Sequence, residues 1–226
     1  QNVLVVVNPE RYGEVLEALR RGEVSQELRM SLAREAFAHT ASYDAAITAY
    51  LTGLSEGEEL FPPVLELSLE RAQVLRYGEN PHQQGAFYRD PAVTGPCVGN
   101  ATQLWGKELS YNNILDTNSA FELVREFTEP AAVIVKHNNP CGCAVGANLT
   151  EAYLKALEGD PVSAYGGIIA LNRMVDAATA QEMAKLFVEV IIAPGYEADA
   201  LEILKKKANL RLLETGELTG QTSDRF

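Results

Sequence analysis

Apolar residues fall into two repeats along the chain, one of short runs and one of helical spacing. Val3 to Val7 is a continuous, mostly β-branched run, and predicts a strand buried on both faces of a parallel sheet. Residues 12–20 then place Val15, Leu16 and Leu19 on one side of a helix that Gly22 stops. A longer helix is predicted over residues 25–51, with Leu28, Leu32, Ala36, Thr40, Tyr43, Ile47 and Leu51 three or four positions apart. The acidic, glycine-punctuated stretch 53–59 and the Pro62-Pro63 pair mark a domain boundary. Beyond it, Leu65, Leu67 and Leu69 alternate with Glu66, Ser68 and Glu70, the pattern of a half-exposed strand.

The rest of the chain alternates between helices and short apolar strands. Helices are predicted over 112–127, 151–158, 177–186 (with Asp176 as its cap) and 197–206, and strands over 131–135, 168–171, 188–193 and 210–213. Such alternation predicts a layered, mostly parallel α/β sheet. One strand and two helices do not complete a parallel-sheet layer, so the run at Val3 leads us to expect further sequence before Gln1.

Charge and composition narrow the function. The 226 residues carry a formal net charge of -12, which disfavours nucleic acid as a partner. No apolar run is long enough to span a bilayer. Cys97, Cys141 and Cys143 form no disulfide framework and fit a reducing cytosol.

Three loops interrupt the hydrophobic pattern with glycine and polar residues: 75–83, 135–142 and 160–167. The second and third border strands, where open α/β sheets place ligands. Lys136 and His137 follow a buried strand directly. A lysine is seldom buried by accident, and a histidine exchanges a proton near neutral pH. The competing reading is an exposed lysine and a histidine in a turn with Asn138 and Asn139. Arg76 offers a fork for a phosphate and Tyr77 a ring for a base or pterin, or the pair is a surface arginine beside a packed tyrosine. Gly166-Gly167 either admits a ligand to the backbone or makes a tight turn before the next strand. Pro140-Cys141-Gly142-Cys143 echoes a zinc deaminase, but the spacing is C-x-C and no H-x-E occurs, so no metal is expected.

These loops, together with residues 36–44, 111–116 and 189–196, closely resemble the AICAR transformylase/IMP cyclohydrolase family, in order along essentially the whole chain. The resemblance implies that residues 1–63 are the C-terminal remnant of a methylglyoxal-synthase-like cyclohydrolase domain plus linker. It implies that residues 64–226 are the first of two cytidine-deaminase-like transformylase subdomains. The implied reaction transfers a formyl group from 10-formyltetrahydrofolate to the amine of AICAR, giving FAICAR, which the cyclohydrolase of the intact protein closes to IMP. His137 would be the base or proton shuttle, and Lys136 would stabilise the tetrahedral intermediate or protonate the departing folate nitrogen. Arg76, Tyr77, Asn113, Tyr165, Gly166 and Glu189 would line the nucleotide pocket, Tyr165 standing where the family usually has Phe. The family works in the cytoplasm as a homodimer, so a second chain or copy is expected to complete the site. The alternative is a non-catalytic nucleotide-binding or assembly module.

Overall fold

The computed structural model describes residues 3–54, 64 and 67–218. The chain divides into two compact units, residues 1–68 and 69–226.

In the first unit, a 3-10 turn (Pro9–Arg11) leads into α1 (Tyr12–Arg20) and α2 (Gln26–Gly53). Ser25 starts α2 by accepting the Leu28 amide on its side chain. Ala18, Leu28 and Leu32 are buried together, with Leu4, Val6, Val15 and Val24 packed on them. Only the first two positions of the predicted α2 stripe are buried, and Ala36 is half-buried. Tyr43, Ile47 and Leu51 are exposed. The strand expected at Val3 to Val7 does not form: residues 3–8 are irregular, and Val3 and Val5 face outward while Leu4 and Val6 turn inward. A strand is defined by ladder bonds to a neighbour, and no strand is present among the described residues of this unit.

The second unit holds a two-stranded sheet and a six-stranded sheet. β1 (Glu70–Leu75) and β2 (Gly85–Arg89) pair antiparallel. The leucine alternation at 65–69 thus precedes the strand: Leu67, Ser68 and Leu69 are irregular, and residues 65 and 66 lie outside the described residues. β3 (Thr102–Trp105), α3 (Tyr111–Val124), β4 (Ala131–Lys136), β5 (Asn139–Val145), α4 (Leu149–Gly159), β6 (Ile168–Leu171), α5 (Ala177–Met183), β7 (Val190–Ala193), α6 (Ala198–Lys205) and β8 (Arg211–Glu214) follow. The large sheet runs β3-β8-β7-β6-β4-β5. It is mixed rather than mostly parallel, because only β6–β7 and β7–β8 are parallel. A tight hairpin after β4 reverses the chain into β5, a connection open only to an antiparallel pair.

Strand alternation decides the two faces. Ala132, Ile134, Ile169, Leu171, Ile191 and Leu212 point to one cluster, with residues of α4, α5 and α6. Val133, Val135, Ile168, Ala170, Ile192 and Leu213 point to the other, under Ala120, Phe121 and Val124 of α3. The sheet is therefore covered on both sides, which is why these strands read as unbroken apolar runs.

Candidate functional site

β4 ends at Lys136, which pairs with Asn139 of β5, leaving His137 and Asn138 as a two-residue turn. Both have positive φ, 52° and 62°. That is the backbone of a hairpin turn matching strand twist. Left-handed backbone in a residue other than glycine costs about 1–3 kcal/mol and persists where surrounding contacts impose it.

Those contacts are present. The Asp116 carboxylate of α3 accepts the His137 amide on one oxygen, at 3.1 Å, and the Asn138 amide on the other, at 2.8 Å. Ser119, three residues on and thus on the same helix face, donates to Asn138 Oδ1. Asn139 Nδ2 donates to the His137 carbonyl at 2.9 Å. The His137 side chain is left exposed.

Lys136 turns toward the neighbouring strand, and its Nζ donates to the Tyr165 carbonyl at 2.8 Å. The Asp160 carboxyl is held below its usual range, chiefly by the Ser163 hydroxyl and amide, with the nearby Lys136 charge adding to it. Burial pushes the Cys141 thiol up, away from the thiolate a metal would need. Among the described residues no group of three or more His, Cys, Asp or Glu could hold a metal ion.

Gly166 and Gly167 make the turn before β6. Gly166 has φ 75°, and its amide bonds the Phe187 carbonyl at 2.8 Å. A Cβ on Gly167 would come 2.9 Å from the Val135 carbonyl oxygen, so β4 and β6 require glycine there. The Tyr165 ring leans on Phe187 with centroids 5.2 Å apart. The Glu189 amide bonds the Gly167 carbonyl at 2.9 Å, and the Arg211 amide bonds the Glu189 carbonyl at 3.1 Å. Lys136, Gly167, Glu189 and Arg211 therefore form a row along one rim of the sheet, in the strand order β4-β6-β7-β8. This rim is the carboxyl end of β4 but the amino end of the three parallel strands, opposite to where the open-sheet rule puts a ligand.

Glu189 is already paired: Arg211 Nη1 lies 2.7 Å from its carboxylate, and Arg211 Nε donates to the Glu108 carbonyl at 3.1 Å. Beside that arginine, an open depression of about 620 Å³ is lined by residues 103–108 and Ala208. Asn113 is nearly buried and closes a capping box with Ser110, each side chain bonding the other's amide. It sits one turn before Asp116. Arg76 and Tyr77 follow β1, the guanidinium 5.8 Å from the ring centroid. Their loop is tied internally by the Gly78 amide to the Gln83 carbonyl, and β1 is tied to the approach to α3 through Gln73 Nε2 and the Leu109 carbonyl at 3.1 Å. Among the described residues no hydrogen bond or ion pair joins Arg76 or Tyr77 to Lys136 or His137.

The rim thus gathers Lys136, His137, Tyr165, Gly166 and Glu189. Asp116, Ser119 and Arg211 join it unforeseen. Asp116 ends a stretch that stood out in the sequence, but its partners lie more than a whole helix away.

The family model described as "AICARFT/IMPCHase bienzyme" matches residues 1–225. "Bifunctional purine biosynthesis protein PurH" of Oceanobacillus iheyensis is 52% identical over 214 residues, covering 95% of this chain and 42% of that protein. The protein of the same name from Myxococcus xanthus is 56% identical over 219 residues, covering 96% of this chain and 42% of its own. The chain thus spans less than half the length of these relatives. Among solved structures, the apo dCMP deaminase of cyanophage S-TIM5 matches 40% of this chain and 87% of its own, with TM-score 0.33 and 11% identity. A match that partial carries no argument about the site.

Proposed function

Since this chain belongs to the AICARFT/IMPCHase bienzyme family, we propose that its larger unit carries part of a formyl-transfer site serving purine biosynthesis. The observation that carries the reading is the rim itself, where an exposed histidine in an imposed left-handed turn stands beside a lysine anchored to the turn before β6. The reaction moves a formyl group from 10-formyltetrahydrofolate to the amine of AICAR, giving FAICAR. That amine is conjugated with its ring and needs a base, a second substrate held close, and a cation for the oxyanion that forms.

His137 takes the amine proton, and the Lys136 ammonium stabilises the tetrahedral oxyanion and then delivers a proton to the leaving folate nitrogen. Arg76 meets the phosphate and Tyr77 stacks on the nucleotide. Tyr165, Gly166, Glu189 and Asn113 line the pocket. In this reading residues 1–63 belong to a methylglyoxal-synthase-like cyclohydrolase domain, and 64–226 are a cytidine-deaminase-like subdomain. The intact cytoplasmic protein closes FAICAR to IMP and works as a homodimer, or with a second chain that supplies the other transformylase subdomain. No metal takes part.

A second reading, a nucleotide-binding module without turnover, draws on Glu189 and Asn113 being engaged within the fold already. One experiment separates the two. Formyl transfer is assayed with AICAR and 10-formyltetrahydrofolate beside a Lys136→Ala/His137→Ala double variant, with intact mass measured on each sample. Transfer abolished by the double substitution is expected. AICAR binding without transfer, in a sample that includes the remainder of the protein, would establish the module instead.

A further inference from the structure

We infer that Asp116 is a positioning residue, a carboxylate clamp that fixes the Lys136–His137 turn and so aims the His137 imidazole; the inference rests on the function proposed above. The two oxygens of one carboxylate accept two consecutive amides, those of His137 and Asn138. Both amides belong to residues with positive φ, an uncommon backbone that Asn and His enter more readily than other side chains. If either residue relaxed to the extended region, its N–H would swing away from the carboxylate. The clamp and the strained turn therefore define each other.

The helix supplies the rigidity that a loop carboxylate would lack. Asp116 sits in the second turn of α3, whose later turns are pinned under the sheet by Ala120, Phe121 and Val124. The helix start is pinned by the Ser110–Asn113 box. Ser119 holds the Asn138 side chain from the same face. Asp116 thus transmits the position of a packed helix to two exposed residues. It hydrogen-bonds the main chain and not the imidazole, so it acts on the chemistry through the direction it gives the backbone. Charged acceptors give the stronger class of hydrogen bond, and an amide oxygen in the same place keeps only part of it.

The test uses the intact protein with Asp116→Ala, and Asp116→Asn as the variant of matching volume. Amide hydrogen exchange is read at His137 and Asn138, and kcat and KM for formyl transfer are read in parallel. Local exchange at those two amides should rise about tenfold or more in Asp116→Ala, with β6 and β7 protection unchanged. The kcat should fall about 10- to 100-fold at a KM within about twofold, Asp116→Asn lying between. Unchanged exchange at His137 and Asn138 overturns the clamp. So does a rise in KM at constant kcat, or protection lost throughout the unit in both variants, which would make Asp116 a general structural residue. If the unsubstituted protein transfers no formyl group, the proposed function fails, and the exchange result alone then decides the clamp.

Discussion

The ammonium of Lys136 is anchored on the main-chain carbonyl of Tyr165, at 2.8 Å, and not on any side chain of that residue. The identity of residue 165 is therefore free to vary within the limits set by the ring's contact with Phe187. On the function proposed above, Tyr165→Phe keeps both the carbonyl and the ring, and formyl transfer by the intact protein should stay within about twofold of the parent. Lys136→Met removes the cation and should lower kcat about 100-fold or more. Steady-state kinetics on the two variants check this; an equal loss in both would place the phenol in the chemistry.

Tyr153 is fully buried, and its hydroxyl has no hydrogen-bond partner among the described residues. Burial, aided by the charge of Glu182, raises its pKa from 10 to about 12. A folded pKa above the unfolded one gives stability that is whole below pH 10 and lost as the pH climbs toward about 12. Tyr196, also buried, shifts in the same direction. Tyr153→Phe should flatten part of this alkaline loss. At neutral pH it should leave stability unchanged or raise it by about 1 kcal/mol, since an unpaired hydroxyl is removed. Urea unfolding at a series of pH values reads both effects; a clear loss at neutral pH would mean the hydroxyl has a partner after all.

Gly142 lies where β5 passes under α4. A Cβ there would fall well inside contact distance of the Ala156 carbonyl oxygen and carbon, atoms of a helix backbone that cannot rotate aside. Gly142→Ala should cost about 3 kcal/mol, the upper part of the overpacking range. Because β5 pairs with β4 up to Lys136 and Asn139, the proposed formyl transfer of the intact protein should suffer with it. A melting temperature equal to the parent's would contradict the close approach.

Asn172, 2% exposed, stitches the segment entering β4 to the end of β6. Its side chain donates to the carbonyls of Phe127 and Glu129 at 2.9 and 2.7 Å and accepts the Ala131 amide at 2.8 Å. Replacing it with Ala strands three backbone groups at once and should cost about 2–4 kcal/mol. Asn172→Asp keeps the acceptor but loses both donors, and should be destabilised comparably. Denaturant midpoints for the two variants decide it.

The amino-acid sequence by itself determined the elements whose signal is local. Ile168–Leu171 is the predicted strand, and Ala177–Met183 begins behind Asp176 as its cap. Tyr12–Arg20 is the predicted first helix, and α2, α3, α4, α6, β4, β7 and β8 differ from expectation by three residues or fewer at either end. Periodicity and capping chemistry act within a few residues, so they can be read one segment at a time. The strands at Glu70–Leu75, Gly85–Arg89, Thr102–Trp105 and Asn139–Val145 carried no such signal. Asn-Pro-Cys-Gly-Cys becomes a strand only because β4 offers it a ladder and Gly142 admits α4. Val3 to Val7, with the stronger strand pattern, forms none where no partner strand is described. The same division runs through the site. Lys136 and His137 stood out because a charge and a titratable ring follow a buried run, and Gly166-Gly167 because two glycines interrupt one. The pairing of Glu189 with Arg211, the bond from Lys136 to a main-chain carbonyl, and the grip of Asp116 on the turn were decided by tertiary structure alone. Each joins residues about twenty or more positions apart. Hydrogen-bond partners at that separation are chosen by how helices and strands pack, and no pattern of neighbouring residues encodes that choice.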